Sequence, residues 1–200
     1  MLTIHHTPRS RSHRVVWQCE EMGVPYRTLP VAFPLTDDYK ALNPAGGVPF
    51  LEDDNGVAIN ESVAMMLYIA QRYGPTPLLP APSDPLLARV LQFSVYGEAT
   101  VGMWINTIMM TRFFAPDEAK DNWSVGAAKG RVEHAIDYVS ANLGEREFLA
   151  GDALTLADIS TSYALGIWSG FLEGALPDNL TAYQARMKAR PAFQRAIAVK

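Results

Sequence analysis

"NPAGGVPFLEDDNGVAINES", residues 43–62, is the stretch on which the fold turns. Two short apolar runs, Val48 to Leu51 and Val57 to Ile59, flank Asp53-Asp54-Asn55-Gly56. Asn and Gly tolerate the positive φ that a tight reversal requires, so the pattern reads as a β-hairpin. Asn60, Glu61 and Ser62 then close the hairpin and open a helix that runs to about Tyr73, with Ala64, Leu67, Tyr68 and Ala70 expected on its apolar side.

Upstream, Leu2-Thr3-Ile4-His5 alternates like a strand, and Val15, Val16, Cys19 and Met22 recur at helical spacing until Gly23. A second strand is expected from Tyr26 to Val31, followed by one or two helical turns between Thr36 and Leu42. Two parallel strands need a crossover, and the segment from Ser10 to Met22 has the length for a crossover helix. The first 76 residues therefore read as β-α-β, a connector, then β-β-α.

Downstream, "GPTPLLPAPSDP" at residues 74–85 holds five prolines, which remove backbone donors and block helix. It reads as a linker. Residues 86–200 carry helical periodicity and no convincing strand. Within them "LTLADIS" offers Thr155 as a helix cap, Asp158 three residues on as its reciprocal partner, and Leu154 with Ile159 as a flanking hydrophobic staple.

Composition bounds the function classes. The chain has 200 residues, is 48% hydrophobic and 19% charged, and carries a net charge of −4. Neither nucleic acid nor an anionic membrane surface attracts such a chain. No apolar run approaches membrane-spanning length, and the polar start at Thr3, His5 and His6 excludes a signal-peptide core. The single Cys19 cannot form an internal disulfide, so a reducing, cytoplasmic setting is expected. His5 and His6 have no companions at metal-ligand spacing, and no metal is assigned.

Taken together, "TPRSRSHRVVWQCEEMGVPY", "NPAGGVPFL", "NESVAMMLYIAQRYG", the proline-rich linker, "FLAGDALTLADIS" and "RMKARPAFQRAI" resemble the glutathione transferases in order and spacing. The resemblance spans essentially the whole chain, and the first stretch looks like bacterial branches that use serine, distantly similar to the theta and zeta classes. It implies an α/β thioredoxin-like amino-terminal domain at residues 1–76 and an all-α domain at residues 86–200, the glutathione transferase fold, as a homodimer.

The resemblance also implies chemistry. Glutathione, as co-substrate, is held with its thiol ionised and meets a small electrophile. Ser10, in the loop before the first helix, is the expected catalytic hydroxyl; Ser12 is the alternative, and a register shift puts Arg9 at the reactive position. A serine here also serves as a plain helix cap. Pro49 is expected after a cis bond, with the Val48 main chain pairing with the cysteinyl unit. Ser62 and Glu61 are expected to receive the γ-glutamyl carboxylate and ammonium at a helix start. At least one of Arg9, Arg11 and Arg14 is expected to face an anion. Gly46-Gly47 stands where many relatives have lysine or histidine before Val-Pro, which leaves the glycine carboxylate to Lys40 or an arginine. Tyr96, Met103 and Trp104, with Thr100 and Thr107, form a stripe at spacings of three and four, against which the family places its acceptor. A glutathione-dependent isomerase of the zeta type and a non-catalytic binding protein of the same fold stand as alternatives.

Overall fold

The computed structural model describes residues 1–200, which divide into two compact units, Met1–Leu79 with Lys188–Lys200, and Pro80–Met187. In the first, β1 (Leu2–His6) is followed by α1 (Ser12–Met22), β2 (Tyr26–Pro30), α2 (Asp37–Leu42), β3 (Phe50–Glu52), β4 (Ala58–Ile59) and α3 (Ser62–Arg72). The sheet order is β2-β1-β3-β4, with β1 parallel to β2 and antiparallel to β3, and β3 antiparallel to β4. This is the β-α-β, β-β-α order that the hairpin and crossover readings require. β1 lies between two partners and all five of its residues are buried, His5 and His6 included.

The crossover helix starts at Ser12, so Ser10 falls in the turn before it rather than in its first turn. α1 ends at Gly23, whose φ of 64° and amide donation to the Cys19 carbonyl make a left-handed C-cap. All residues from Ser12 to Cys19 are buried because α1 packs on two helices at once. On one side Arg14 and Gln18 face α3: Arg14 Nη1 donates to Ser62 Oγ at 3.0 Å and Gln18 Nε2 to the Met66 carbonyl at 2.8 Å. These two pairs, four residues apart on both helices, set the register between them. On the other side His13 and Trp17 each meet the Phe193 ring at 5.0 Å. Phe193 belongs to α9 (Pro191–Ala198), so the carboxyl-terminal segment assigned by pattern to the helical domain is part of the first unit.

The buried face of α3 is Ser62, Met65, Met66, Ile69 and Ala70: Ala70 lies where expected, whereas Ala64, Leu67 and Tyr68 are only half-buried. The methionines fill the interior. Tyr68 instead turns its hydroxyl to Asp53 Oδ2 at 2.7 Å and, with Tyr73 on Oδ1 at 2.8 Å, ties the hairpin turn to the helix.

The second unit is helical: α4 (Leu86–Tyr96), a π-helical turn (Gly97–Gly102), α5 (Met103–Phe114), α6 (Trp123–Leu143), α7 (Leu156–Gly170) and most of α8 (Asp178–Ala189). Gly97 permits a close main-chain approach here, since a Cβ would stand 2.9 Å from the Ser160 and Thr161 main chain. Two α7 hydroxyls use that proximity, Ser160 Oγ donating to the Ser94 carbonyl at 2.6 Å and Thr161 Oγ to the Phe93 carbonyl at 3.0 Å. Gly97→Ala is accordingly expected to cost about 1–3 kcal/mol through overpacking, read as a lowered urea midpoint. An unchanged midpoint would show that α7 gives way freely.

Candidate functional site

The loop Thr7–Arg11 connects the central strand to the buried crossover helix, which places its residues beside the helix amino terminus. Arg9 takes a φ of 65° and Glu61 a φ of 68°, left-handed conformations that cost a non-glycine residue of order 1–3 kcal/mol. One lies beside Ser10 and the other immediately before Ser62.

Ser10 is partly exposed, while Ser12 is fully buried. Their hydroxyl oxygens are 2.7 Å apart, and Ser10 Oγ also accepts from the Ser12 amide at 3.2 Å, a local turn bond just ahead of a helix whose N-cap, Arg11, makes no side-chain cap. Ser12 Oγ lies 2.7 Å from His6 Nδ1. Burial pushes the His6 imidazole below its ordinary range, and holds His13 down to about 4, where the charges of His6 and Arg14 add to the effect. The His13 ring is therefore neutral at pH 7.

The Val48–Pro49 peptide bond is cis. The loop before it is anchored at the Gly47 carbonyl, which accepts from Tyr39 Oη at 2.7 Å and Asn43 Nδ2 at 2.8 Å. Those donors fix the plane of the peptide that ends at Val48. His5, buried against the Tyr39 and Phe50 rings, reaches Glu52 Oε2 at 2.8 Å.

Ser62 opens α3, where unpaired amides and the helix dipole favour an anion. Arg14 is fully buried behind it and donates to its hydroxyl, so Ser62 Oγ accepts from a cation and keeps its own proton to donate. Glu61 is exposed beside that helix start. Through its bond to Ser62, Arg14 is placed at this anion-favouring point. Lys40 pairs with Asp37 at 3.2 Å on the surface of α2. No group of three His, Cys, Asp or Glu side chains converges as a metal site would require.

The acceptor stripe is laid out differently from expectation. The π-helical turn between Tyr96 and Met103 breaks the 3.6-residue period on which the stripe depended. Tyr96 packs on Tyr138 at 5.1 Å, and Trp104 lies beneath the Arg131 guanidinium at 6.0 Å, so both are engaged with α6. Met103 is 48% exposed. None of the three lines the cavity of about 270 Å³ in this unit, whose walls include Ile108, Arg112, Val125 and Trp168.

Two family models match the chain, the glutathione S-transferase amino-terminal domain over residues 9–72 and the carboxyl-terminal domain over residues 103–191. The chain belongs to the glutathione S-transferase family. A relative from Escherichia coli O157:H7, glutathione S-transferase GstA, is 30% identical over 176 residues, covering 82% of this chain and 79% of that protein. Among solved structures, a glutathione transferase from Burkholderia graminis with two glutathione molecules bound per subunit superposes with a TM-score of 0.88 at 26% identity, covering 98% of this chain and 87% of the other. A theta-class glutathione S-transferase from Xanthomonas axonopodis pv. citri with glutathione bound gives 0.84 at 26% identity, covering 100% and 98%.

Pattern reading of this transferase-family chain missed His6, Tyr39, Asn43 and the burial of Arg14. For Arg14 there was a signal: Arg14 and Gln18, four apart, form a polar stripe on a helix whose neighbours are apolar. His6, at the end of an alternating strand, carried none.

Proposed function

We propose that this family member conjugates the thiolate of glutathione to small electrophiles, with Ser10 donating a hydrogen bond to the sulfur. The observation that carries the reading is the Arg14–Ser62 pair, a buried cation set behind a helix start in the same unit as the serine loop. The γ-glutamyl carboxylate is assigned to Ser62 and the α3 amides, its ammonium to Glu61, and the cysteinyl main chain to Val48 ahead of Pro49. The thiolate then attacks an electrophilic carbon: the S–C bond forms and the leaving group departs with its electron pair. Tyr96, Met103 and Trp104 are the proposed acceptor contacts, Tyr96 and Trp104 being half-buried and braced on one side by α6.

A free thiol with a pKa of about 8.5 is mostly protonated at neutral pH, and lowering it by two units takes about 2.7 kcal/mol. A hydrogen bond to a charged group supplies about 1.5–3 kcal/mol of this, and a helix amino terminus up to about 1. Ser10→Ala is expected to raise the apparent pKa of the bound thiol by about one unit while the dissociation constant for glutathione stays nearly constant. Ultraviolet absorbance of the thiolate against pH measures the first and calorimetry the second. A wild-type pKa in Ser10→Ala would remove Ser10 from the mechanism.

A second reading, peroxide reduction, is favoured by the pair of glutathione molecules in the Burkholderia relative. The thiolate would attack a peroxide oxygen, releasing an alcohol and a sulfenic acid, and the second thiol would condense with the latter to give glutathione disulfide and water. Two glutathiones consumed per peroxide, with disulfide as product, distinguish it from one glutathione consumed per thioether formed.

A further inference from the structure

A hydroxyl that stabilises a thiolate must present its proton, not its lone pairs, and the surroundings of Ser10 bear on which it presents. Ser10 Oγ has two lone pairs and one proton. One lone pair accepts from the Ser12 amide at 3.2 Å, and Ser12 Oγ lies 2.7 Å away with the hydrogen free to run in either direction. The direction is decided one residue further in. Ser12 Oγ is 2.7 Å from His6 Nδ1, inside the protein, where both residues are buried.

If His6 carried its proton on Nε2, Nδ1 would accept from Ser12, Ser12 would accept from Ser10, and the Ser10 proton would point inward. That tautomer also leaves a buried N–H poorly satisfied: Nε2 makes no hydrogen bond of good geometry, although the Val199 main chain lies near the ring. If the proton is on Nδ1, it is used at 2.7 Å and the chain runs outward: His6 donates to Ser12, Ser12 donates to Ser10, and both Ser10 lone pairs are filled. Ser12 is complete in that arrangement, accepting also from the Thr7 amide at 3.4 Å. The longer alternative for its proton, the Thr7 carbonyl at 3.2 Å, is the weaker acceptor site. Around the imidazole, burial disfavours the charged form, His13 and the Arg14 guanidinium lie nearby, and the Val199 main chain pulls modestly the other way. A protonated His6 would still donate from Nδ1, so the direction of the chain does not depend on that titration.

We infer that His6 and Ser12 are positioning residues: a buried chain from His6 Nδ1–H through Ser12 to Ser10 fills the Ser10 acceptor sites and obliges its hydroxyl to donate outward. The inference rests on the reading of Ser10 as the hydroxyl facing the glutathione sulfur.

Thiolate absorbance against pH for the protein saturated with glutathione tests it in Ser10→Ala, Ser12→Ala, His6→Leu and His6→Asn. Ser12→Ala and His6→Leu are expected each to lower the thiolate fraction at a pH below the wild-type midpoint by roughly three- to tenfold, with the glutathione dissociation constant unchanged. His6→Asn, whose amide N–H stands about where Nδ1–H does, is expected to keep the wild-type midpoint. A merely structural role would lower the melting temperature of these variants without moving the thiol pKa. If Ser10→Ala raises the pKa while Ser12→Ala and His6→Leu do not, the chain is refuted and the role of Ser10 survives. If Ser10→Ala leaves the pKa unmoved, the role of Ser10 fails and the chain with it. Should His6→Leu not fold, Ser12→Ala decides alone, an unshifted pKa overturning the inference.

Discussion

Asp158→Ala is expected to lower the unfolding free energy by roughly 3–5 kcal/mol, because three buried donors lose their acceptor together. Asp158 is fully buried at the start of α7. Its Oδ1 accepts from the Leu149 amide at 2.8 Å and Tyr183 Oη at 3.0 Å, and its Oδ2 from the Thr155 amide at 2.8 Å and Thr155 Oγ at 3.0 Å. The capping box thus does more than close one helix: it joins the loop before α7 and the α8 tyrosine to a single carboxylate. Thr155 can turn its hydroxyl elsewhere, but the Leu149 and Thr155 amides and the Tyr183 hydroxyl are left unpaired away from water, at about 1–3 kcal/mol each before relaxation. Asp158→Asn keeps the shape and one acceptor oxygen, yet aims an NH₂ at donors on the other side. Its loss should be intermediate. Urea denaturation followed by circular dichroism measures both, and an Asp158→Ala midpoint within experimental error of wild type would mean that water or a shifted loop satisfies these groups.

The same capping box was legible in seven residues because a cap is local: Thr155 and Asp158 are three apart, and the partners they need are each other's main chain and side chain. The hairpin was legible for the same reason. Asp53 to Gly56 carries its own turn chemistry, and β3 and β4 follow from it. What local reading cannot reach is the direction from which a third element arrives. The spacing of Val15, Val16, Cys19 and Met22 predicts a helix, but α9 comes from the far end of the chain to cover His13 and Trp17, so both faces are interior and a charge such as Arg14 is enclosed. Nor does "GEATVG" announce a π-helical turn, since its residues suit an ordinary helix. The wide turn coincides with the close approach of α7 at Gly97, a tertiary fact. The family resemblance points to Ser10, with Ser12 and Arg9 as alternatives, but the hydrogen-bond partners of that hydroxyl are not legible, because His6 lies in a strand and reaches Ser12 only after the chain has reversed.

Arg14→Met is expected to weaken glutathione binding on the order of 30- to 100-fold. Arg14 is enclosed and cannot be the group a ligand touches first. Its effect must pass through Ser62, 3.0 Å from Nη1, and through the field at the start of α3. At a separation of roughly 5 Å and an effective dielectric near 20, a unit cation attracts a unit anion by about 3 kcal/mol. The hydroxyl contributes separately: with Arg14 filling one of its lone pairs, Ser62 is held to donate to the incoming carboxylate, and methionine releases it to rotate. Methionine has nearly the volume of the aliphatic stem, so packing is largely kept. Arg14→Lys retains the charge but not the fixed fork, and should recover part of the affinity. Calorimetric titration gives the dissociation constants. The glutathione-dependent rise in melting temperature gives an independent check, since a 100-fold weaker site loses up to about 2.7 kcal/mol of ligand-linked stability at a fixed high concentration. Wild-type affinity in Arg14→Met alongside weakened binding in Ser62→Ala would mean that the helix start alone holds the carboxylate, and that the buried cation serves only the α1–α3 register it shares with Gln18.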